Sequence, residues 1–392
     1  MNQVRFIIAG NVDDGKSTLT GRLLYDTGNI KKDILDTLMH HDEKFELAAL
    51  TDGLKQEREN SITIDIAYRY FYSERTKFML VDAPGHQEFT KNFFTGASNC
   101  DAIIILIDSE HGITTQTQKH AQLAILLGIQ HWIVAINKMD RCSYVEDKFY
   151  SIKNDFEALF KSPSFPQAIS FVPISALDGE NITLTSTKTN WYSGKPLLNY
   201  LQEIEPNAFA TQPTRIVVER TNVDNRFLWC RVLSGHIKTQ VQLVSVYQKT
   251  SILVHQMYQG QHLIDEANAG DCICIQIHEE AILNAGEILV DETSKEVNLL
   301  DKWEATLFWM DVTPAKLGHT YILQMNSRQG PIRLESATKK DLLEQNEIEQ
   351  IEVHAEYLWL IDSFSKSPKS GKGIVIDPVT LETVGAIMNK DK

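Results

Sequence analysis

The chain lacks several features that mark particular classes of protein. Its five cysteines are odd in number and show no C-x-x-C spacing, which predicts reduced thiols and excludes a disulfide framework or a zinc site. The longest apolar run, Ala102 to Ile107, is too short to span a bilayer. Basic residues are in deficit, with 38 Lys and Arg against 52 Asp and Glu, which disfavours nonspecific nucleic-acid binding. With no signal peptide before the first predicted strand, the sequence predicts a cytoplasmic protein that binds neither membrane nor nucleic acid.

A phosphate-binding loop stands near the start of the chain. It follows a predicted buried strand, Val4 to Ala9, and precedes a segment with helical spacing, Leu19 to Tyr25. The loop matches G-x-x-x-x-G-K-[ST] and consists of Gly10, Asn11, Val12, Asp13, Asp14, Gly15, Lys16, Ser17 and Thr18. In this context the backbone N–H groups would meet a β-phosphate, Lys16 would bind β- and γ-phosphate oxygens, and Ser17 would offer its hydroxyl to Mg²⁺. By itself the pattern is also compatible with a glycine-rich turn that carries a chance lysine.

A second element follows the predicted strand Lys77 to Asp82. The strand ends in Asp82, Ala83, Pro84, Gly85 and His86. Asp82 can hold Mg²⁺ through a water molecule, and the Gly85 N–H can sense a γ-phosphate. Thr63, in an alternating segment upstream, is placed to complete the metal shell. The polar stretch before it, 26–60, is where a nucleotide-dependent switch would carry a mobile loop.

The third and fourth elements indicate which base is bound. The predicted strand Trp132 to Asn137 ends in Asn137, Lys138, Met139 and Asp140, and the Asp140 carboxylate can accept from both N1–H and the 2-amino group of guanine. Asn137 can reach the other edge of the base, and the Lys138 stem can lie along the ring. A further strand delivers Ser175, Ala176 and Leu177, whose backbone N–H groups can contact the guanine O6. All four elements stand at carboxyl ends of predicted strands, where open α/β sheets bind ligands, so the sequence predicts GTP with Mg²⁺.

The length of 392 residues exceeds what one hydrophobic core supports, and the residue pattern changes near Pro206. We predict an α/β P-loop GTPase domain over 1–206, with a mostly parallel six-stranded sheet and helices on both faces. Short alternating runs with turn signals then predict two small β-barrels, over 207–299 and, shortened, over 300–392. No catalytic constellation is evident in either barrel region. No second phosphate loop follows, so a fused kinase domain is not expected.

On these residues the chain resembles the translation-factor type of GTPase, and most closely the GTPase large subunit of bacterial ATP sulfurylase (sulfate adenylyltransferase). The resemblance is carried by GNVDDGKSTLTGRLLYDTG, LTDGLKQEREN with SITIDIAYRYF, DAPGHQEFTKN with TGASNCDA, LLGIQHWIVAINKMD and WYSGKPLLNYLQEIE. Elongation factors carry histidine where Asp14 stands and lack the phrase TDGL. The match is dense in the first half of the chain and patchy in the third domain.

The resemblance implies that two subunits carry out different parts of one reaction. A separate, smaller catalytic subunit of the ATP-pyrophosphatase type would join sulfate to ATP, giving adenosine 5′-phosphosulfate and pyrophosphate, and this chain would couple GTP hydrolysis to that uphill step. His86 matches the histidine that orients the attacking water, and Val12 and Ile62 match the apolar gate around it. Ser17 and Thr63 would ligate Mg²⁺, with Asp82 bound through water.

Two alternatives stay open at this point. One is an elongation-factor-like translational GTPase that binds tRNA and the ribosome, since fold does not fix function; Asp14 and the TDGL phrase weigh against it. The other is the same activity feeding sulfotransferases instead of sulfate reduction. Serine stands at position 61, where the family carries glycine, so the first switch is expected to close differently.

We expect His86→Ala to leave GTP binding intact while sharply slowing GTP hydrolysis, because the side chain is predicted to orient the attacking water. Single-turnover hydrolysis and nucleotide affinity, measured on the same preparation, check this. A collapse of GTP binding would instead assign His86 a structural role.

Overall fold

The computed structural model describes residues 2–30, 47, 67–74, 76–82, 90–97, 100–159, 169–205, 212–222, 224, 226–278, 281–292, 297–338, 340–367 and 369–390. The chain divides into two compact units, Met1–Pro206 and Asn207–Lys392. Each unit has its own hydrophobic core.

The first unit is built on a six-stranded sheet in the order β2-β3-β1-β4-β5-β6. All neighbouring strands are parallel except β2, which pairs antiparallel with β3. The strands are β1 Asn2–Ala9, β2 Ala67–Ser73, β3 Thr76–Asp82, β4 Ala102–Asp108, β5 His131–Asn137 and β6 Ile169–Pro173. The described helices are α1 Lys16–Asp26, α2 Thr90–Ala97, α3 Thr115–Leu126, α4 Glu146–Leu159 and α5 Leu197–Gln202, with a 3₁₀ turn at Met139–Cys142.

Both faces of this sheet are covered, which explains why β4 is buried at every position and why its neighbours β1 and β5 carry long apolar runs. Alternate residues of β1, such as Phe6, share one cluster with Leu23 of α1 and Leu197 of α5. Residues of the opposite parity, such as Ile7, are equally buried outside that cluster, and α2 and α3 pack against β1, β3 and β4. At the other end of the cluster, Phe71 and Phe78 stack at 4.9 Å between ring centroids.

The second unit begins with a closed barrel in the order β10-β15-β7-β8-β14-β11, in which β10 and β11 also pair with each other. Strand β12 adds to β11, and β9 pairs with β13 beside the barrel. The strands are β7 Arg215–Thr221, β8 Phe227–Ser234, β9 His236–Lys238, β10 Gln242–Ser245, β11 Ser251–Gln259, β12 His262–Ile264, β13 Glu266–Asn268, β14 Cys272–Ile277 and β15 Ile288–Asp291.

A second closed barrel follows in the order β16-β21-β19-β18-β22-β23. Its strands, with the small β17–β20 pair, are β16 Leu299–Trp309, β17 Ala315–Lys316, β18 Thr320–Met325, β19 Arg328–Ser336, β20 Leu342–Leu343, β21 Ile348–Leu360, β22 Lys372–Ile376 and β23 Thr383–Asn389. The predicted fold class, a GTPase-type α/β domain followed by two β-barrels, is confirmed. Within the described residues, no helix combines the length and apolarity needed to cross a membrane.

The individual elements differ from expectation in instructive places. Strand β4 covers the apolar run Ala102 to Ile107, and helix α3 covers a segment with helical periodicity. Helices α2 and α4 carry only two or three apolar residues facing the core, and the sequence pattern alone did not predict them. The alternating segment that contains Thr63, residues 61–72, is described only from Ala67 onward, where it forms β2.

Candidate functional site

The loop between β1 and α1 has the backbone of an anion-binding concavity. Asp13 and Gly15 adopt left-handed conformations, with φ of 68° and 97°. Successive N–H groups in such a turn point to one side, and here they lead directly into the helix N-terminus. A Cβ at Gly15 would lie 2.5 Å from Asn137 Nδ2, and one at Gly10 would lie 2.8 Å from the Leu106 carbonyl oxygen. Glycine is therefore required at both ends of the loop.

Asp14 and Lys16 define the electrostatics of this loop. The Asn11 N–H donates to Asp14 Oδ2 at 2.5 Å, which closes the loop on itself. Burial raises the pKa of Asp14 to about 6, against the opposing effects of the Asn11 N–H and of Lys16. Lys16 Nζ donates to the carbonyl oxygens of Gly10 and Asn11, at 3.2 and 2.7 Å. Burial lowers the pKa of Lys16, and the carboxylates of Asp14, Asp82 and Asp13 act against that shift.

Asn137, at the end of β5, joins the phosphate loop to the last of the four predicted elements. Its Nδ2 donates to the Asp14 carbonyl oxygen at 2.8 Å. Its Oδ1 accepts from the Ala176 N–H at 2.9 Å. Both polar atoms of this buried side chain thus bond the protein itself. The contact with the base predicted from sequence stays a prediction.

The predicted base-reading residues come together beyond β5 and β6. Ser175 Oγ donates to Asp140 Oδ1 at 2.6 Å, and the Asp178 N–H donates to Ser175 Oγ at 3.1 Å. Met139 is fully buried, and its N–H donates to the Ile174 carbonyl oxygen at 3.2 Å. Two loops that are far apart in sequence therefore fix the direction of the Asp140 carboxylate.

Lys138 is held by the end of the neighbouring strand. It has a left-handed backbone, with φ of 60°, and its Nζ lies 2.7 Å from Asp108 Oδ2. Burial alone would raise the pKa of Asp108, but hydrogen bonds from Lys138, the Glu110 N–H and His111 hold that pKa below its ordinary value. The ion pair stretches the Lys138 stem across the carboxyl edge of the sheet.

The remaining predicted residues are placed in part. Ser17 and Thr18 lie half-buried in the first turn of α1, and Leu177 is exposed beyond Ala176. Asp82 is the last residue of β3, opposite Ile8 of β1, and it is buried close enough to Lys16 to affect the pKa of that lysine. The predicted residues Thr63, Ala83, Pro84, Gly85 and His86 lie outside the described residues, as do Ser61 and Ile62.

Sequence reasoning missed one residue that shapes the site. Arg22 of α1 donates from Nε to the Ala176 carbonyl oxygen at 3.1 Å and from Nη2 to the Leu177 carbonyl oxygen. It also pairs with Asp26 at 3.5 Å, one helical turn away. Only the i,i+4 spacing of Arg22 and Asp26 was visible in the sequence, and it predicts no more than a surface ion pair.

Comparisons with known proteins agree with this geometry. The family model of the elongation factor Tu GTP binding domain matches residues 1–222. Among solved structures, the GTPase-like domain of S. cerevisiae Ski7 bound to GTP aligns with a TM-score of 0.54 at 17% identity, covering 100% of this chain and 98% of that one. A bacterial selenocysteine-specific elongation factor aligns with a TM-score of 0.50 at 20% identity, over 99% of this chain and 58% of that one. These structures share the fold.

Fold and loops together define a GTPase built on a GTP-binding domain of the elongation factor Tu type. Comparison with curated relatives identifies the family within this class of GTPases. "Sulfate adenylyltransferase subunit 1" of Teredinibacter turnerae is 37% identical over 98% of this chain and 86% of its own length. Proteins of the same name from Yersinia pestis and Francisella tularensis subsp. novicida are each 38% identical over 98% of this chain, and over 84% and 86% of their own lengths. The chain belongs to the sulfate adenylyltransferase subunit 1 family.

We expect Asp140→Asn to shift nucleotide preference from guanine to xanthine. An asparagine amide would donate to the xanthine 2-oxo group, while it would face the guanine 2-amino group with a second donor. Losing hydrogen bonds to a charged acceptor costs about 1.5–3 kcal/mol, so GTP affinity should fall roughly 10- to 100-fold. Competition between GTP and xanthosine triphosphate measures the change. Asp178→Asn, whose carboxylate binds Tyr144 instead, is the matched control, and unchanged base preference in Asp140→Asn would contradict the assignment.

The raised pKa of Asp14 predicts a pH dependence of nucleotide affinity. Below a pH of about 6 the carboxyl is neutral, whereas above it a negative charge stands in the phosphate loop. As pH rises from 5 to 8, the affinity of the native chain for GDP should therefore fall relative to that of Asp14→Asn. The fall should be about tenfold for each unit by which bound GDP shifts the pKa of Asp14. Taking the ratio of the two affinities removes the ionisation of GDP itself.

Asp13→Asn provides the control for this experiment, because Asp13 is an exposed carboxylate in the same loop. It should follow the native pH profile. Parallel profiles for Asp14→Asn and the native chain would contradict the role given to Asp14.

Proposed function

We propose that this chain is the GTP-hydrolysing subunit of a heteromeric sulfate adenylyltransferase. It would couple GTP hydrolysis to the formation of adenosine 5′-phosphosulfate and pyrophosphate from ATP and sulfate. The observation that carries the proposal is the pair of bonds from Asn137, which assembles the phosphate loop and the base-reading loop in a chain whose named relatives align along almost its whole length.

The phosphate loop supports binding of a nucleoside triphosphate. Its N–H groups and the start of α1 form a cradle for the β-phosphate, and Gly10 and Gly15 let the loop pack closely against Leu106 and Asn137 in that shape. In the structure Lys16 bonds two loop carbonyl oxygens. Its ammonium can exchange these neutral acceptors for phosphate oxygens, which form stronger charge-assisted hydrogen bonds.

Guanine selection would come from Asp140. Ser175 holds one carboxylate oxygen at 2.6 Å, so the carboxylate is fixed before the base arrives. Such preorganisation lowers the entropic cost of binding. The N–H of Leu177 follows directly after Ala176, whose own N–H bonds Asn137, and can face the guanine O6.

A magnesium ion fits the same site. Ser17 stands in the first turn of α1, and Asp82 ends β3 close to Lys16. We propose that Ser17 and Thr63 ligate Mg²⁺ directly and that Asp82 binds it through water. When bound, the ion neutralises charge that develops on the phosphate oxygens.

Hydrolysis then needs a positioned water, which we assign to His86, with Val12 and Ile62 forming the apolar gate. Phosphoryl transfer to water is catalysed mainly by positioning and by electrostatic stabilisation, so no covalent intermediate on the protein is required. The name "subunit 1" of the relatives implies a partner subunit. We propose that this partner is a smaller catalytic subunit of the ATP-pyrophosphatase type.

The test is GTP hydrolysis by the purified chain, alone and with the candidate small subunit, ATP and sulfate. We expect hydrolysis to rise only with the full set, and adenosine 5′-phosphosulfate to accumulate in parallel. Stimulation by ribosomes, with no response to the small subunit and its substrates, would instead favour a translational GTPase.

Asp140→Asn makes this test specific for the site. With the variant, xanthosine triphosphate should replace GTP in supporting adenosine 5′-phosphosulfate synthesis. Persistent GTP dependence in that variant would mean that a contaminating GTPase, or another site, drives the reaction.

A further inference from the structure

Three potential metal ligands converge on the outer surface of the second barrel, far along the chain from the nucleotide loops. Glu335 lies on β19, and Glu352 and His354 lie on β21. Glu335 and Glu352 are direct cross-strand partners in the β19–β21 register. One ligand atom from each of the three side chains lies within 4.8 Å of the other two. Across the described part of the chain, no other set of three His, Cys, Asp or Glu residues meets that criterion.

The distances match those around a bound transition metal. His354 Nε2 lies 3.1 Å from Glu352 Oε2 and 3.5 Å from Glu335 Oε2. Tetrahedral zinc with bonds of about 2.0–2.1 Å separates its ligand atoms by roughly 3.3 Å. The two distances from His354 Nε2 to the carboxylate oxygens are therefore close to the spacing that a bound metal imposes.

The outer oxygens of both carboxylates are held by cations. Lys302 Nζ lies 2.9 Å from Glu352 Oε1, and Arg333 Nε lies 3.3 Å from Glu335 Oε1. Each carboxylate thus has one oxygen fixed by a basic residue and the other directed at His354. Outer partners of this kind orient the ligands of known metal sites and contribute to metal affinity.

We propose that Glu335, Glu352 and His354 form a binding site for a divalent first-row transition metal such as Zn²⁺. One imidazole and two carboxylates make up a donor set that such ions accept, and the remaining positions would be filled by water. Each of the three side chains is partly exposed, so the site is open to solvent. The ion would clamp β19 to β21. The site is independent of the nucleotide site and of the function proposed above.

The same geometry also suits a protonated His354 that bridges the two carboxylates as an ordinary ion pair. In that case the cluster would belong to a ladder of surface charges, which contributes little to stability. The two occupants differ in a measurable way, because only the metal site binds one equivalent of ion.

The experiment is calorimetric titration of the full-length, GDP- and Mg²⁺-loaded chain with Zn²⁺ at pH 7.5. We expect one equivalent whose affinity falls at least about tenfold in each of Glu335→Gln, Glu352→Gln and His354→Ala. Thermal unfolding should show a Zn²⁺-dependent rise in Tm that the same variants lose. The glutamine variants keep side-chain size, and His354→Asn is a second variant should His354→Ala fail to fold.

His319→Ala and Glu356→Gln are the matched controls, since both residues are exposed in the same barrel and lie outside the cluster. They should retain the native Zn²⁺ affinity. Absence of the equivalent in the native chain, its persistence in the His354 variants, or equal losses in the controls would each overturn the proposal.

Discussion

The site depends on one side-chain amide, that of Asn137. This amide bonds the phosphate loop through the Asp14 carbonyl oxygen and the predicted base-reading loop through the Ala176 N–H. It also fills the space where Gly15 has no side chain. Because these two loops follow β1 and β6, and Asn137 itself ends β5, sheet order alone brings them near one another without fixing them. Asn137 supplies the fixing bonds, and Arg22 adds two from the opposite side, to the carbonyl oxygens of Ala176 and Leu177.

Buried charge is the second constraint, and it is balanced locally. Asp14 and Lys16 lie in one loop, and Asp108 with Lys138 forms an ion pair across the ends of two strands. An isolated charge in such a place would be costly, so each carboxylate needs its nearby cation or N–H donor. Burial raises the pKa of Asp14, because the Asn11 N–H and Lys16 offset only part of the cost of burying its charge. A bound nucleotide would act directly on that balance, since its phosphates would draw Lys16 from the loop carbonyl oxygens and add negative charge beside Asp14.

Much of this was accessible from sequence, for reasons that can be named. The phosphate loop and the Asn137–Asp140 segment are local patterns whose residue types are dictated by backbone space and hydrogen bonding, so they could be found without coordinates. Helix α4 was not predicted, although its buried residues Phe149, Ile152 and Phe156 stand at i, i+3 and i+7, the spacing of an amphipathic helix. Arg22 was missed because its partners are backbone carbonyls about 155 positions away. Every residue type has a backbone carbonyl, so partners of this kind cannot be recognised from the sequence.

The two barrels of the second unit are joined by contacts that likewise need both partners. Arg215 of the first barrel is almost fully buried against Asp362, with paired contacts of 3.2 Å. Beside this ion pair, Arg328 stacks on the rings of Tyr247 and Trp359. Removing one member of a buried ion pair costs about 3–5 kcal/mol, because the other charge stays behind. These contacts, which need side chains from both barrels, hold the two barrels together as one compact unit.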